Sequence, residues 1–266
     1  MKYVALLKEL KSFLRENNFE ESIAHIIIED FLGRNYHIYL DDEVKGNHLN
    51  YLKNDIYPRL IKKEPIQYIL GYTYFYGLKI NVNKSVLIPR NETEELVEWL
   101  LNEHHENDLT ILDVGSGSGC IALAIKKHRP NWKVISVDIS NEALEVAKQN
   151  ANELNLDVEF RNSNMLENVF EDIDIVISNP PYIEENDEFV DEATNIYEPH
   201  LALYADDLGL KFYKEFSKTL PIKKVRELYI EFGFQQTKDI KQIYKDFDVE
   251  IRKDINKLDR MARIKF

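Results

Sequence analysis

Asn179-Pro180-Pro181-Tyr182 is the stretch of this chain whose residue types and order best suit chemistry. It follows Asp174-Ile175-Val176-Ile177-Ser178, a short apolar run that reads as a buried strand, so the tetrapeptide stands where a strand emerges into a loop. Each proline fixes φ and lacks an N–H, so the pair neither extends the sheet nor starts a helix. An amide side chain and an aromatic face then project from a stiff ledge. That arrangement can grip a planar group carrying an NH2.

A second candidate is Asp113-Val114-Gly115-Ser116-Gly117-Ser118-Gly119-Cys120, which joins a predicted strand to a predicted helix. Glycines let a backbone approach a ligand closely, and the N–H groups at a helix start favour an anionic group. The spacing fits a dinucleotide fingerprint imperfectly, because Cys120 stands where the third glycine or alanine belongs. Asp138 ends the next predicted strand, about 20 residues on, the position from which a carboxylate accepts from ribose hydroxyls. Loop and carboxylate together predict a bound nucleoside. An Asp there can also be a helix cap, a role open equally to Ser140. Cys120 reads as a small packing residue, since a helix start alone only modestly activates a thiol.

These residues need a frame, and the chain predicts one. Residues 1–70 read as a helical bundle, with Tyr3, Leu7, Leu10 and Leu14 on one stripe and Ile23, Ile26, Ile27 and Phe31 on the next. Residues 71–90 read as a linker built on a hairpin that turns near Gly77. Asn91, with Glu94 three residues on, predicts a helix N-cap before Leu96, Val97 and Leu100, and opens a domain over residues 91–266. Strands are predicted at 109–114, 134–138, 158–161, 174–178, 228–232, near Val249 and at 262–265. Helices at 121–127, 141–154, 210–218 and 236–244 alternate with them, which implies an α/β domain with a largely parallel sheet that binds ligands at the carboxyl ends of its strands.

A net charge of -13 argues against a surface that embraces nucleic acid as a whole. With Cys120 as the one cysteine, no intrachain disulfide forms, and no Cys/His group has zinc-site spacing, so no metal is expected. No signal-like N-terminus or membrane-length apolar run is present, and the expectation is a cytoplasmic protein away from membranes.

Glycine loop, acidic strand end and Asn-Pro-Pro-Tyr together resemble the class I S-adenosylmethionine (SAM) methyltransferases that act on NH2 groups. Leu87-Ile88-Pro89-Arg90-Asn91-Glu92-Thr93-Glu94-Glu95-Leu96-Val97, Glu198-Pro199-His200-Leu201-Ala202-Leu203, Asp207-Leu208-Gly209-Leu210 and Leu258-Asp259-Arg260 are similar to stretches of the HemK/PrmC family. The resemblance covers nearly the whole chain. It implies a Rossmann-like, seven-stranded class I SAM-dependent methyltransferase with a small N-terminal helical domain for substrate recognition. It also implies SAM as cofactor and class I peptide chain release factors as partners, methylated at N5 of the glutamine in their Gly-Gly-Gln motif. Carried onto this chain, it assigns Asp113, Gly115, Gly117, Gly119, Asp138, Asn164 and Asn179 to the cofactor. Asn179, Pro180, Pro181 and Tyr182 fall to the substrate amide, with Asn179, Pro180 and Tyr182 catalytic.

Two positions depart from the family pattern. Asn91 stands where the family has Pro, and Asn164 where it commonly has an acidic residue near adenine; an amide oxygen still accepts there, without charge. Between Ile183 and Leu210 there is no Lys or Arg, while Glu184, Glu185, Asp187, Glu188, Asp191, Glu192, Glu198, Asp206 and Asp207 crowd the segment leaving the ledge. A phosphate backbone would be repelled there, so no stable nucleic-acid binding is expected. The other readings are an adenine or guanine amino methyltransferase using the same ledge, a SAM-binding module without catalysis, and an NAD-type oxidoreductase. The imperfect dinucleotide spacing and Asn179 count against the last two.

Overall fold

The computed structural model describes residues 1–185 and 191–266, and these fall into two compact units, Met1–Gly71 and Tyr72–Phe266. Asp187 and Glu188 of the acidic segment lie outside the described residues. In the first unit, α1 (Tyr3–Glu16), α2 (Ser22–Leu32), α3 (Gly46–Tyr51), α4 (Tyr57–Ile61) and α5 (Ile66–Leu70) surround one apolar cluster, and Leu52–Ile56 forms a wider π-type turn between α3 and α4. On α1 the buried face is Tyr3, Leu6, Leu10 and Leu14, with Leu7 at its margin. On α2 it is Ala24, Ile27 and Ile28, and the expected core residue Ile26 is 38% exposed. At 100° per residue Ile26 stands about 200° from Ala24, on the opposite side of the helix.

The second unit opens on a hairpin, β1 (Tyr72–Phe75) and β2 (Leu78–Asn81), that is bonded to the rest of the unit. The Tyr76 N–H donates to the Glu94 carboxylate at 2.7 Å, and Asn81 exchanges two hydrogen bonds with the Asn150 side chain at 2.8 and 3.0 Å. The helix that follows, α6 (Asn91–Glu103), starts without the expected cap: Arg90 occupies the cap position, Asn91 is the first helical residue, and no side chain caps the end. Glu94, which a capping box would turn back onto the helix start, serves the hairpin instead. Position 91 is therefore N1, where a proline costs a helix nothing.

Then come β3 (Thr110–Val114), α7 (Cys120–His128), β4 (Lys133–Asp138), α8 (Asn141–Leu154), β5 (Glu159–Asn162), β6 (Ile175–Ser178), α9 (Glu192–Tyr197), α10 (His200–Leu203), α11 (Lys211–Thr219), β7 (Glu227–Glu231), α12 (Thr237–Ile243), β8 (Asp248–Lys253) and β9 (Asp259–Lys265). The seven strands β3–β9 form one sheet in the order β5-β4-β3-β6-β7-β9-β8, parallel except for β9, which runs antiparallel to both neighbours. This is the class I methyltransferase architecture that the motifs imply. Strands β3, β4 and β5 build outward to one side and β6 and β7 to the other, so the winding reverses between β3 and β6. At such a switch point the carboxyl ends of two strands diverge and leave a crevice.

Apolar runs account for the sheet. Leu112, Val114, Ile135, Val137, Val176, Leu228, Ile230 and Ile264 share one buried cluster with Tyr213, Phe216 and Leu220 of the α11 region and Ile240 and Tyr244 of the α12 region. Among the described residues no helix is long and apolar enough to cross a membrane.

β7 is anchored at its start by charge. Arg263 on β9 grips the Glu227 carboxylate at 2.6 and 3.1 Å and reaches Glu103 at 2.7 Å. Burial alone would raise the Glu227 carboxyl, but His104 and Arg263 hold it down at about 2. Its contribution to stability is therefore present above the ordinary value of 4.5 and lost as pH falls toward 2. Arg263→Leu is expected to cost about 3–5 kcal/mol in chemical denaturation, because it leaves a buried carboxylate without its counter-charge.

Candidate active site

The β3 exit is built to keep backbone, not side chains, at the crevice. Gly115 and Ser116 donate their N–H groups to the Val137 carbonyl at 2.8 and 2.9 Å, which folds the loop over the end of β4. Gly117 then donates to Asp138 Oδ2 at 2.8 Å, and Ser140 N–H to Oδ1 at 2.9 Å. Both carboxylate oxygens are thus oriented, and each keeps a further lone pair for a ligand hydroxyl. Burial raises the Asp138 carboxyl, and the backbone N–H groups at its oxygens oppose that rise. The helix after it is capped by Ser140, whose Oγ accepts from Ala143 N–H at 3.1 Å, so capping does not occupy Asp138.

Asp113 lies underneath. It is fully buried, accepts from the Ser136 hydroxyl at 2.7 Å, and Ser136 is itself in contact with Ser116. Burial, only partly offset by Ser136, raises Asp113 to about 7. Gly119 is the N-cap of α7 at φ +81°, and a Cβ there would stand 3.1 Å from Ala147 and 3.2 Å from Phe160. Its role is close packing of α7 against α8 and β5.

At the β6 exit, Ser178 Oγ donates to the Val114 carbonyl at 2.6 Å and ties the two diverging strand ends together. Asn179 follows, its Nδ2 donating to Thr93 Oγ1 at 3.0 Å. The Thr93 hydroxyl sits 2.6 Å from Glu231 Oε2, and the Tyr182 hydroxyl donates to Glu231 Oε1 at 3.3 Å. Burial raises both the Tyr182 phenol and the Glu231 carboxyl.

Two cavities open at this edge. The first, about 320 Å³, runs from Gly115, Gly117, Ser118 and Asp138 past Asn164 to Asn179, Pro180 and Pro181. The second, about 390 Å³, is lined by Tyr182, Gly233, Phe234 and Arg260 among others. Leu87, Arg90, Asn179, Pro180 and Ala202 line both. The start of the ledge is therefore a shared wall, with one cavity on either side of it. Arg90 is fixed there by Glu198 at 2.7 Å, which also accepts from Ile88 N–H at 3.2 Å.

The first cavity suits a nucleoside carrying a charged tail. Gly115 and Gly117, at φ +86° and +52°, have open space where a side chain would begin, so any Cβ would project from a surface the cavity uses. Ser118 Oγ is buried in the same wall with no hydrogen-bond partner among the described residues. Cys120 adds no nucleophile, since burial pushes its thiol up to about 12.

Residues 91–201 match the Methyltransferase small domain family. The whole chain aligns with the release factor glutamine methyltransferase of Enterococcus faecalis, 38% identical over 273 residues and covering 98% of each chain. The chain belongs to the release factor glutamine methyltransferase family. The corresponding protein of Streptococcus pneumoniae is 39% identical over 231 residues, covering 85% of this chain and 83% of that one. The N-terminal domain of human METTL16 in complex with SAH shares the fold, with a TM-score of 0.51 at 18% identity over 72% of this chain and 76% of that one.

In this methyltransferase the residues expected to bind cofactor and substrate divide by position. Gly115, Gly117, Asp138, Asn164, Asn179, Pro180 and Pro181 line the first cavity; Asn179, Pro180 and Tyr182 line the second. Asp113 and Gly119 line neither and act from beneath, by holding the loop and by packing. Asn164 also donates to Glu167 at 2.8 Å. Thr93 and Glu231 were not singled out by sequence. A signal for Glu231 existed: one carboxylate near the end of the apolar run Leu228-Tyr229-Ile230-Glu231-Phe232, the pattern that drew attention to Asp138.

The folded protein binds a proton at Asp113 more tightly than the unfolded chain does, so this group stabilises the fold below pH 3.8 and its contribution is lost as pH rises toward 7. Asp113→Asn is expected to flatten that part of the stability profile. Urea unfolding at pH 5 and pH 8 checks it.

Proposed function

We propose that this methyltransferase transfers the methyl group of SAM to N5 of the glutamine in the Gly-Gly-Gln motif of class I peptide chain release factors. The observation that carries the reading is the shared wall: Asn179 and Pro180 face a nucleoside-suited cavity on one side and a second cavity on the other. Gly115, Gly117, Asp138, Asn164 and Asn179 hold the cofactor, with Asp138 accepting from the ribose. When bound, SAM supplies a methyl group on a sulfonium, which leaves as a neutral thioether.

The rest falls to the chain's own residues. An amide nitrogen is a poor nucleophile because its lone pair is delocalised into the carbonyl. Asn179 Oδ1 accepts one of its N–H groups and the Pro180 carbonyl the other, which orients the nitrogen toward the first cavity and favours the positive charge it gains. The prolines prevent the ledge from yielding. Tyr182 supplies the aromatic face on the second-cavity side, and the surplus proton leaves to solvent after transfer.

Residues 1–70 recognise the release factor, residues 71–90 link, and residues 91–266 carry out the transfer in the cytoplasm. The acidic segment after Tyr182 disfavours a nucleic-acid acceptor.

Labelled SAM offered with a release factor, with its Gln→Ala variant, with DNA and with RNA tests the acceptor. Label is expected on the wild-type release factor alone; label confined to nucleic acid overturns the reading. Asn179→Ala is expected to lose transfer far more than it weakens SAM binding by calorimetry. Asp138→Ala is expected to weaken SAM binding by about 1–3 kcal/mol, the cost of losing a charged hydrogen-bond acceptor.

A further inference from the structure

We propose that Glu231 is a positioning residue: acting through Thr93, it holds the Asn179 carboxamide with its oxygen, not its nitrogen, presented to the acceptor amide. The inference deepens the transfer reading above and rests on it.

An ionised carboxylate only accepts. With Glu231 ionised, the Thr93 hydroxyl, 2.6 Å from Glu231 Oε2, spends its single proton on Glu231, and it meets Asn179 with a lone pair. A lone pair 3.0 Å from the Asn179 amide selects Nδ2–H, which turns Oδ1 the other way. Among the described residues nothing donates to that oxygen. Without this relay the two ends of a carboxamide, nearly equal in shape, are free to exchange. A flipped Asn179 would present N–H donors to an NH2 group, and the contact would be lost.

Glu231 is placed for this by three elements. Thr93 comes from the first turn of α6, Asn179 and Tyr182 from the β6 exit, and Glu231 from the end of β7, where it is 1% exposed. The Tyr182 hydroxyl on Oε1 fixes the second arm of the carboxylate. Burial raises the Glu231 carboxyl and the Glu92 charge adds to the rise, while Thr93, Arg260 and Tyr182 oppose it; Tyr213, whose hydroxyl donates to the Glu231 carbonyl at 3.0 Å, also faces it. A raised carboxyl is ionised only above its shifted value. As pH falls through that value Glu231 gains a proton, Thr93 is free to reverse its hydroxyl, and the selection on Asn179 is lost. The acid limb of the transfer rate is therefore expected above the ordinary carboxylate range.

The test uses the full-length enzyme in two arms. In the kinetic arm, Thr93→Val, which keeps shape and removes the hydroxyl, is expected to lower kcat about tenfold to a hundredfold with SAM affinity within about threefold. Thr93→Ser is expected to restore most of the loss, and Glu231→Gln to remove the acid limb. In the second arm, the side-chain 15N–1H2 signal of Asn179, identified by its disappearance in Asn179→Asp, is expected to shift in Thr93→Val, to stay near its wild-type position in Thr93→Ser, and to titrate in the wild type but not in Glu231→Gln. A Thr93→Val enzyme with wild-type kcat and an unmoved Asn179 signal overturns the proposal, as does an acid limb that survives Glu231→Gln. If Thr93→Val fails to fold in a thermal melt, the titration of wild type against Glu231→Gln decides. The spectroscopic arm needs no acceptor, so a wild type that leaves release factor unlabelled counts against the acceptor while the Asn179 signal still judges the relay.

Discussion

A single buried carboxylate holds the catalytic edge together. Glu231 takes hydrogen bonds from Thr93 on α6 and from Tyr182 after β6, so three elements distant in sequence meet on one side chain. Burying an acid there costs free energy unless its lone pairs are filled, and the two hydroxyls with the Arg260 charge offset that cost. The prolines of the Asn-Pro-Pro-Tyr ledge make it stiff, but stiffness does not say where it stands. Glu231 does, by fixing the ledge at both ends: through Thr93 at Asn179 and directly at Tyr182.

The topology explains why this edge can serve two ligands. Reversal of winding between β3 and β6 leaves their carboxyl ends diverging, with the glycine loop on one and the ledge on the other. The Ser178–Val114 hydrogen bond keeps the split narrow. β4, next to β3, brings Asp138 to the same edge, and the glycine loop is laced to it through Val137 and Asp138. β7, next to β6, brings Glu231. Each of the four strands at the centre thus ends in a residue or loop that the edge needs, and the antiparallel β9 holds β7 from its other side through Arg263.

What could be read from sequence was what depends on local pattern. Apolar runs bounded by turn residues located β3, β4, β6 and β7, because a parallel strand buried on both faces has no other composition open to it. Motif spacing placed the glycine loop, Asp138 and the ledge at one edge. Readings failed where a side chain had two possible partners and tertiary structure chose between them. Glu94 could close a capping box or serve the hairpin, and Tyr76 took it. Asp113 sits in the glycine motif yet points below the loop, where Ser136 awaits it. Ile26 lay within a plausible stripe that the bundle used one residue out of phase. Thr93 and Glu231 escaped notice because they are 138 residues apart and neither is unusual alone.

Charge pairing around the second cavity bears on what can enter it. Arg90 and Arg260 are its cationic lining residues, and a nucleic acid would need cations free to meet phosphate. Arg90 is held at 2.7 Å by Glu198, and Arg260 at 3.2 Å by Asp254, and both carboxylates are only 4% exposed. Lys211, which lines the first cavity, and Lys214 are paired with Asp206 and Asp207. A phosphate drawing either arginine away would strand a buried carboxylate, at a cost of several kcal/mol that no surface contact recovers. An uncharged peptide amide makes no such demand. It asks for acceptors and a flat face, groups of the kind that Asn179, Pro180 and Tyr182 bring to the cavity wall, while both arginines of the lining keep their carboxylates.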